Sequence, residues 1–332
     1  MNVAIVGAGF IGAKRAASLK ESDNLVIICD SDKSKAKNLA NLYSADFTNN
    51  LSEVLVNDID VAIVSVVNKY SIDICIKLIE SNMHILCEKP LGRNFEESSK
   101  VLRIAKKNNK IIKTGFNHRF HPALIKSKEL IDEGAIGKII NIRSRYGHGG
   151  RPGMENEWRC SKDLCGGGEL IDQGVHIIDL CRWLTSMEVE KVYGDVFSSF
   201  WKIEVEDNAF FNLSFGKNVL AQCHVSWTNW KNIFSLEIFG VDGYIKIEGL
   251  GGSYGLETLE IGYRQKRGGV PKIESFIFEE NDNSWILEWE NLIKSINSNV
   301  EPNGNGHDGY IANLIIDAIY KSSENKKVVT IN

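Results

Sequence analysis

The stretch NVAIVGAGFIG, residues 2–12, restricts the fold of this chain more than any other. A short apolar run meets glycines spaced G-x-G-x-x-G, and a helical pattern follows from Gly12 to Leu19. A buried strand turning sharply into a helix uses glycine at each of these places. Gly7 permits the tight turn, Gly9 lets a ligand approach the backbone, and Gly12 lets helix and strand pack closely. The free N–H groups and positive dipole end at the head of such a helix suit a pyrophosphate. Alone the motif is weak. It gains weight from Asp30, which closes the next apolar run, LVIICD, at the spacing where a carboxylate accepts both ribose hydroxyls of an adenosine. Strand, turn, helix and acid together predict a dinucleotide site. The negative charge of Asp30 favours NAD(H), because it repels a 2′-phosphate; Ser31, Lys33 and Lys35 beside it leave NADP(H) as the lesser alternative.

NVAIVG, LVIICD, VAIVSVV, HILCEKP and IIKTGF read as buried parallel strands, with helical stretches such as Lys33 to Leu42 and Ile72 to Ile79 between them. That alternation predicts a doubly wound sheet. After about Phe120 the rhythm changes. A helix from about Ala123 to Asp132 leads to KIINIRSRYG, then to a glycine-led helix. Next comes a train of β-rich runs (VEKVYGDVFSSF, EDNAFFNLSF, NVLAQCHVSW, FSLEIFG, YIKIEG, LETLEIGYR) with turn pairs at Gly216-Lys217 and Asp242-Gly243. Helices near Trp285 to Asn297 and His307 to Tyr320 and a short VVTI close the chain. The expected fold is an α/β Rossmann domain over residues 1–120. An α+β domain with a large open, mainly antiparallel sheet follows over 121–332, its C-terminal helix available to pack back on the first domain. No long linker separates them.

Composition narrows the function classes. At 332 residues and 43% hydrophobic content the chain has room for two domains, and its charge of -4 argues against nucleic acid or anionic membrane as a partner. The start lacks a basic n-region, and no run of about eighteen apolar residues occurs, so a cytoplasmic protein is expected. Seven irregularly spaced cysteines fit free thiols in a reducing compartment.

The glycine-led helix CGGGELIDQGVHIIDL sets Asp172 and His176 four residues apart, on one helical face, with Asp179 continuing the polar stripe. Its other positions are apolar. Such a stripe is either a satisfied core network or the wall of a cleft. CEKPLG places Glu88 and Lys89 at the carboxyl end of a strand, where open α/β sheets bind ligands. Taken alone, Glu88 and Lys89 read as a surface ion pair.

Together, GAGFIG, HILCEKPLG, GFNHRF, EWRCSKDLCGGGELIDQGVHIIDL and AIYKSSENKKVVTI closely resemble the Gfo/Idh/MocA oxidoreductases, named for glucose-fructose oxidoreductase and inositol dehydrogenase. The likeness runs along essentially the whole chain. It implies hydride transfer between NAD(H) and a secondary hydroxyl or keto carbon of a sugar, nucleotide sugar or cyclic polyol. Lys89 matches the lysine that contacts the reacting hydroxyl and the cofactor, and Asp172 and His176 match the D-x-G-x-H acid and imidazole. The cofactor contacts it implies are Gly7, Ala8, Gly9, Phe10, Ile11, Gly12, Asp30, Ser31, Lys35, Ser65, Val66, Asn68, Glu88 and Lys89, with Asn117, Trp158 and Arg159 toward the nicotinamide half. Trp285 matches a further aromatic there. The resemblance also implies a homodimer or homotetramer through the second domain's sheet. Val66, Val67 and Ser71 stand where the family commonly has Thr-Pro and then His, and Cys160 to Asp163 replace an Asp-Pro after Trp-Arg. The first departure touches cofactor affinity and the second substrate identity.

The expected mechanism gives Lys89 and His176 a shared proton-handling role and lets Asp172 position substrate. Both groups are expected to face the redox-active ring of the cofactor across one pocket. The rival is a cofactor-binding redox sensor without turnover, which would need only the Rossmann half. No metal is expected: Asp172, His176 and Asp179 are a weak ligand set, and His118 and His121 in NHRFH read as a solvated or cofactor-adjacent turn. GGSYG spells a nucleophile elbow, but a strand pattern follows it, so Ser253 reads as a loop residue. Trp227, Trp230 and Phe234 read as sheet core or subunit interface, with a sugar-stacking platform as the lesser alternative.

Overall fold

The computed structural model describes residues 1–216, 218–279 and 281–331, so Lys217 of the expected Gly216-Lys217 turn lies outside the described residues. The chain divides into two compact units: Met1–Phe116 with Trp285–Asn313, and Asn117–Ser284 with Leu314–Asn332.

The first unit carries strands β1 (Asn2–Val6), β2 (Asn24–Cys29), β3 (Asp46–Thr48), β4 (Val61–Val64), β5 (His84–Cys87) and β6 (Ile112–Thr114). Between them run helices α1 (Phe10–Ala17), α2 (Lys33–Tyr43), α3 (Leu51–Leu55), α4 (Asn68–Glu80) and α5 (Phe95–Lys107). All pairs are parallel, in the order β3-β2-β1-β4-β5-β6. The order reverses between β1 and β4, which makes the carboxyl ends of those two strands the switch point where such sheets take ligands. Side chains alternate faces: Val3 and Ile5 enter one core with Ala36 and Leu39 of α2, while Ala4 and Val6 enter the other with Ile72 and Leu78 of α4. Asp32 and Asn94 begin α2 and α5 by accepting backbone N–H groups of the first turn.

The second unit holds α6 (Pro122–Asp132), β7 (Ile139–Gly147), α7 (Lys162–Cys165) and α8 (Val175–Thr185). Strands β8 (Lys191–Phe197), β9 (Asn208–Phe215), β10 (Val219–Ser226), β11 (Ile233–Gly240), β12 (Gly243–Glu248), β13 (Glu257–Tyr263) and β14 (Lys272–Phe278) follow. Helices α9 (Ser284–Ser298) and α10 (Gly306–Asn325) and strand β15 (Val329–Thr330) end the chain. The sheet order is β14-β13-β12-β11-β7-β10-β9-β8-β15. It is mainly antiparallel, with β7 and β10 parallel near its middle. Trp227 and Phe234 are buried as the core reading requires, whereas Trp230 is 62% exposed at φ +56 and belongs to no core. Its ring meets Phe200 edge-on, with centroids 4.7 Å apart.

Residues of α9 and the start of α10 complete the first unit. Trp289 is wholly buried in the core that includes Ala16 of α1 and Leu39 of α2, with its indole N–H donated to Asp23 at 2.7 Å, and Asn313 donates to the Leu91 carbonyl at 2.7 Å. Later residues of α10 serve the second unit, where Ser322 and Ser323 accept the N–H groups of Gly194 and Val196 on β8. Among the described residues no helix is long and apolar enough to cross a membrane. All seven cysteines are buried and none is in a disulfide.

Candidate functional site

In the first unit the glycine turn links the ends of β1 and β4. Gly7 sits at φ +104, donates its N–H to the Cys29 carbonyl at 2.8 Å and accepts the Ser65 hydroxyl at 2.9 Å. A Cβ on Gly12 would run into the Gly7 carbonyl, whereas one on Gly9 would meet nothing within 4 Å. Gly12 is thus fixed by packing, and Gly9 leaves an open backbone face beside the head of α1, whose first amides have no intrahelical acceptor. Asp30 closes the turn. Its Oδ2 accepts the Ala8 N–H at 2.7 Å and its Oδ1 accepts the Asp32 N–H at 2.8 Å. An open glycine face, helix-head amides and an adjacent carboxylate fit the pyrophosphate and ribose of a dinucleotide.

The other expected cofactor contacts divide by exposure. Phe10 is largely exposed, Ile11 half-buried, Ser31 and Lys35 exposed, Val66 half-buried, and Asn68 buried at the start of α4. Lys35 stands 3.9 Å from Asp32.

Lys89 is partly buried in the turn after β5, where the Lys89–Pro90 peptide bond is cis. Glu88 beside it is not the surface ion pair that its sequence context allowed. It binds the buried Arg15 of α1, Oε1 to Nε, at 2.5 Å; Arg15 Nη1 meets Glu288 of α9 at 2.7 Å, and Glu288 stands 3.9 Å from Lys113 of β6. Arg15, Lys113 and Glu288 are wholly buried. Burial pushes the Glu88 carboxyl above its ordinary range against the pull of Arg15. Two cations and two carboxylates thus tie the helix of the glycine turn to the base of the turn that carries Lys89. Arg15 also lies over the Trp285 ring at 4.4 Å. Nothing local announced this quartet, since Arg15 and Glu88 lie 73 residues apart; a charged residue in the apolar stripe of α1 was the available signal.

In the second unit, the glycines before α8 have physical reasons. Gly166 takes φ +97 after α7, and Cβ atoms on Gly167 and Gly168 would strike the Tyr320 hydroxyl and the Glu206 carbonyl. Glu206 is buried beneath them, with Oε1 accepting the Leu170 N–H and the Tyr320 hydroxyl. Burial raises its carboxyl above the ordinary range, against those hydrogen bonds. From Leu170 to Gly174 the helix is π-type before it becomes α8, so the four-residue spacing of Asp172 and His176 does not follow the regular α pitch expected. Such turns frequently occur at functional sites.

Asp172 remains partly exposed and stands 3.9 Å from Arg159 Nε, and the Arg159 guanidinium lies over Trp158 at 4.7 Å. His176 is buried, its ring stacked on His118 with centroids 3.7 Å apart. Asp179 is engaged elsewhere: it binds Arg119 through both oxygens, at 2.8 and 2.5 Å, in full burial. Among the described residues no group of three His, Cys, Asp or Glu stands where it could hold a metal ion. His118 and His121 are not a solvated turn. Both are buried; His118 meets Tyr146 and Asn117, and His121 meets Glu257 at 3.1 Å. Asn117 spends its amide within this unit, on Ser284 and His118. Ser253 lies in a turn, as expected, while its neighbour Tyr254 accepts from Gln173, next to Asp172, at 2.8 Å.

Comparison with known proteins accounts for both units. Residues 1–116 match the family description "Oxidoreductase family, NAD-binding Rossmann fold", and residues 124–246 match the GFO/IDH/MocA C-terminal domain. The chain is 28% identical to the myo-inositol 2-dehydrogenase of Thermotoga maritima over 99% of its own length and 98% of the relative's. It is 25% identical to the D-glucoside 3-dehydrogenase of Escherichia coli over 98% and 95%. A levoglucosan dehydrogenase solved with NADH and L-sorbose shares its fold at a TM-score of 0.89 and 23% identity, covering 100% of this chain and 99% of that one. The glycine turn closed by Asp30, the strand order around it and the two domain matches together make this chain a member of the Gfo/Idh/MocA family of oxidoreductases, with that family's NAD-binding Rossmann fold at its N-terminus.

Proposed function

We propose that the protein is an NAD(H)-dependent dehydrogenase or reductase. It moves a hydride between nicotinamide and a secondary hydroxyl or keto carbon of a sugar, nucleotide sugar or cyclic polyol. The closure of the glycine turn by Asp30 at Ala8 carries the cofactor half of this reading, and relatives named for inositol and glucosides support the substrate class.

Residues 1–120 serve the dinucleotide in this reading, and 121–332 serve the substrate and self-association. The backbone from Gly7 to Gly12 and the head of α1 hold the pyrophosphate. Asp30 takes the adenosine ribose with Ser31 and Lys35 beside it, and Ser65, Val66, Asn68 and Glu88 line the path toward the nicotinamide half. Asn117, Trp158 and Arg159 are the further contacts assigned to that half in this reading. Bound NAD supplies the hydride acceptor or donor. Lys89 hydrogen-bonds the reacting oxygen and shares its proton with His176: the group that is deprotonated takes it as the hydroxyl is oxidised, and the same group, then protonated, returns it as the keto carbon is reduced. Asp172 orients the substrate hydroxyls as an acceptor. Exposed Phe197, Phe210 and Leu220 on one face of the second unit's sheet suit a homodimer or homotetramer interface, in a cytoplasmic protein with no nucleic-acid or membrane partner.

The test is the appearance of reduced-nicotinamide absorbance with NAD⁺ and a panel of myo-inositol, levoglucosan, methyl glucosides and uridine-diphosphate sugars. Turnover with one class supports the reading. Tight NADH binding with no reduction across the whole panel overturns it.

A further inference from the structure

We infer that His118 is a positioning residue for His176, a flat clamp that fixes the plane of the imidazole. The inference rests on the catalytic role proposed for His176. The two rings lie 13° from parallel with centroids 3.7 Å apart, both buried. A stacking partner fixes its neighbour only if it is itself held, and His118 is held at both edges.

The donor directions can be followed along one chain of bonds. Asn117 donates its amide N–H to Ser284 Oγ at 3.0 Å, and Ser284 Oγ donates to Asp282 Oδ1 at 2.5 Å. Asn117 Oδ1 is therefore turned to His118, where it accepts Nδ1–H at 3.2 Å. A neutral His118 then has only the lone pair of Nε2 on its other edge, and the Tyr146 hydroxyl lies 3.0 Å away to donate to it. Burial holds the Tyr146 phenol well above its ordinary value, so it keeps its one proton, and its hydroxyl also hydrogen-bonds that of Tyr254. Phe234 meets the His118 ring edge-on, with centroids 6.2 Å apart. Hydrogen bonds at both edges set the plane of His118, and its broad face is what His176 meets. A base must point its lone pair within tenths of an ångström of the proton it takes, and misplacement on the order of 1 Å costs about a hundredfold in rate. Locking the ring through a stacked neighbour is a means of holding that aim without touching substrate.

The test compares His118→Leu with His118→Phe in the full-length chain. Both variants lose the same edge hydrogen bonds and share that stability cost, so only the flat face differs. With NAD⁺ and whichever sugar of the panel above turns over, His118→Leu should lose at least about tenfold in kcat with KM nearly unchanged, and His118→Phe should recover most of it. Equal kcat in the two variants, or wild-type kcat in His118→Leu, overturns the inference. His176→Ala, measured alongside, separates the two layers. If it keeps turnover, the role of His176 is wrong; if it loses turnover while the His118 variants match each other, only the clamp is wrong. Independently of substrate, the His176 ring protons should resonate upfield in the wild type and in His118→Phe, and move downfield in His118→Leu. Unchanged positions across the three would also overturn it.

Discussion

The carboxylate of Asp30 accepts the backbone N–H of Ala8 at 2.7 Å, so the residue proposed to meet the ribose is also the residue that shapes the phosphate turn. Asp30→Ala removes a charge-assisted bond of about 1.5–3 kcal/mol. NADH binding should weaken by about tenfold or more, read by nicotinamide fluorescence, while NADPH binding should weaken less because the repulsion of its 2′-phosphate is gone. Equal losses for the two cofactors would count against the role given to Asp30.

Glu288 is wholly buried between Arg15 and Lys113. Glu288→Gln leaves two buried cations with Glu88 as their remaining carboxylate in the quartet, an imbalance that typically costs about 3–5 kcal/mol. Chemical denaturation of the two proteins at neutral pH reads this directly. NADH affinity should fall as well, because Arg15 anchors α1.

Gly168 has no room for a Cβ, which would strike the Glu206 carbonyl. Gly168→Ala is expected to lose about 1–3 kcal/mol of stability and to disturb the π-type turn carrying Asp172. Gly9→Ala is the contrast, since its Cβ would meet nothing in the protein: stability should hold while NADH affinity falls.

Asp207 makes stability depend on acid. Burial works to raise its carboxyl, but hydrogen bonds from the backbones of Ser199, Phe200 and Trp201 and from Asn208 more than offset this and hold it below its ordinary range. A depressed carboxyl contributes stability above its unfolded value, about 3.9, and that contribution is lost as pH falls toward and through the folded value. Denaturation midpoints across the acid range should fall more steeply for the wild type than for Asp207→Asn. Parallel slopes would remove Asp207 from the account.

The first sheet was legible because parallel strands buried on both faces read as unbroken apolar runs, and the glycine turn fixed where β1 ends. Two elements of the first unit, strand β3 and helix α3, are too short to show a period. In the second unit β14 escaped notice because KIESFIF is a half-exposed edge strand, and the parallel pairing of β7 with β10 joins residues some eighty positions apart, such as Asn141 and Leu220. The candidate residues could be picked out by type, but their environments could not. His118 was visible in NHRFH, yet its burial depends on Tyr146 and His176 arriving from distant segments, and Glu88 looked like a surface partner because Arg15 and Glu288 come from α1 and α9.

Turnover of Lys89→Met against wild type, with NADH affinity measured on the same samples, tests the central claim most directly. The account requires kcat to fall by about a hundredfold or more while the NADH dissociation constant stays within about twofold. Near-normal turnover in that variant would contradict it.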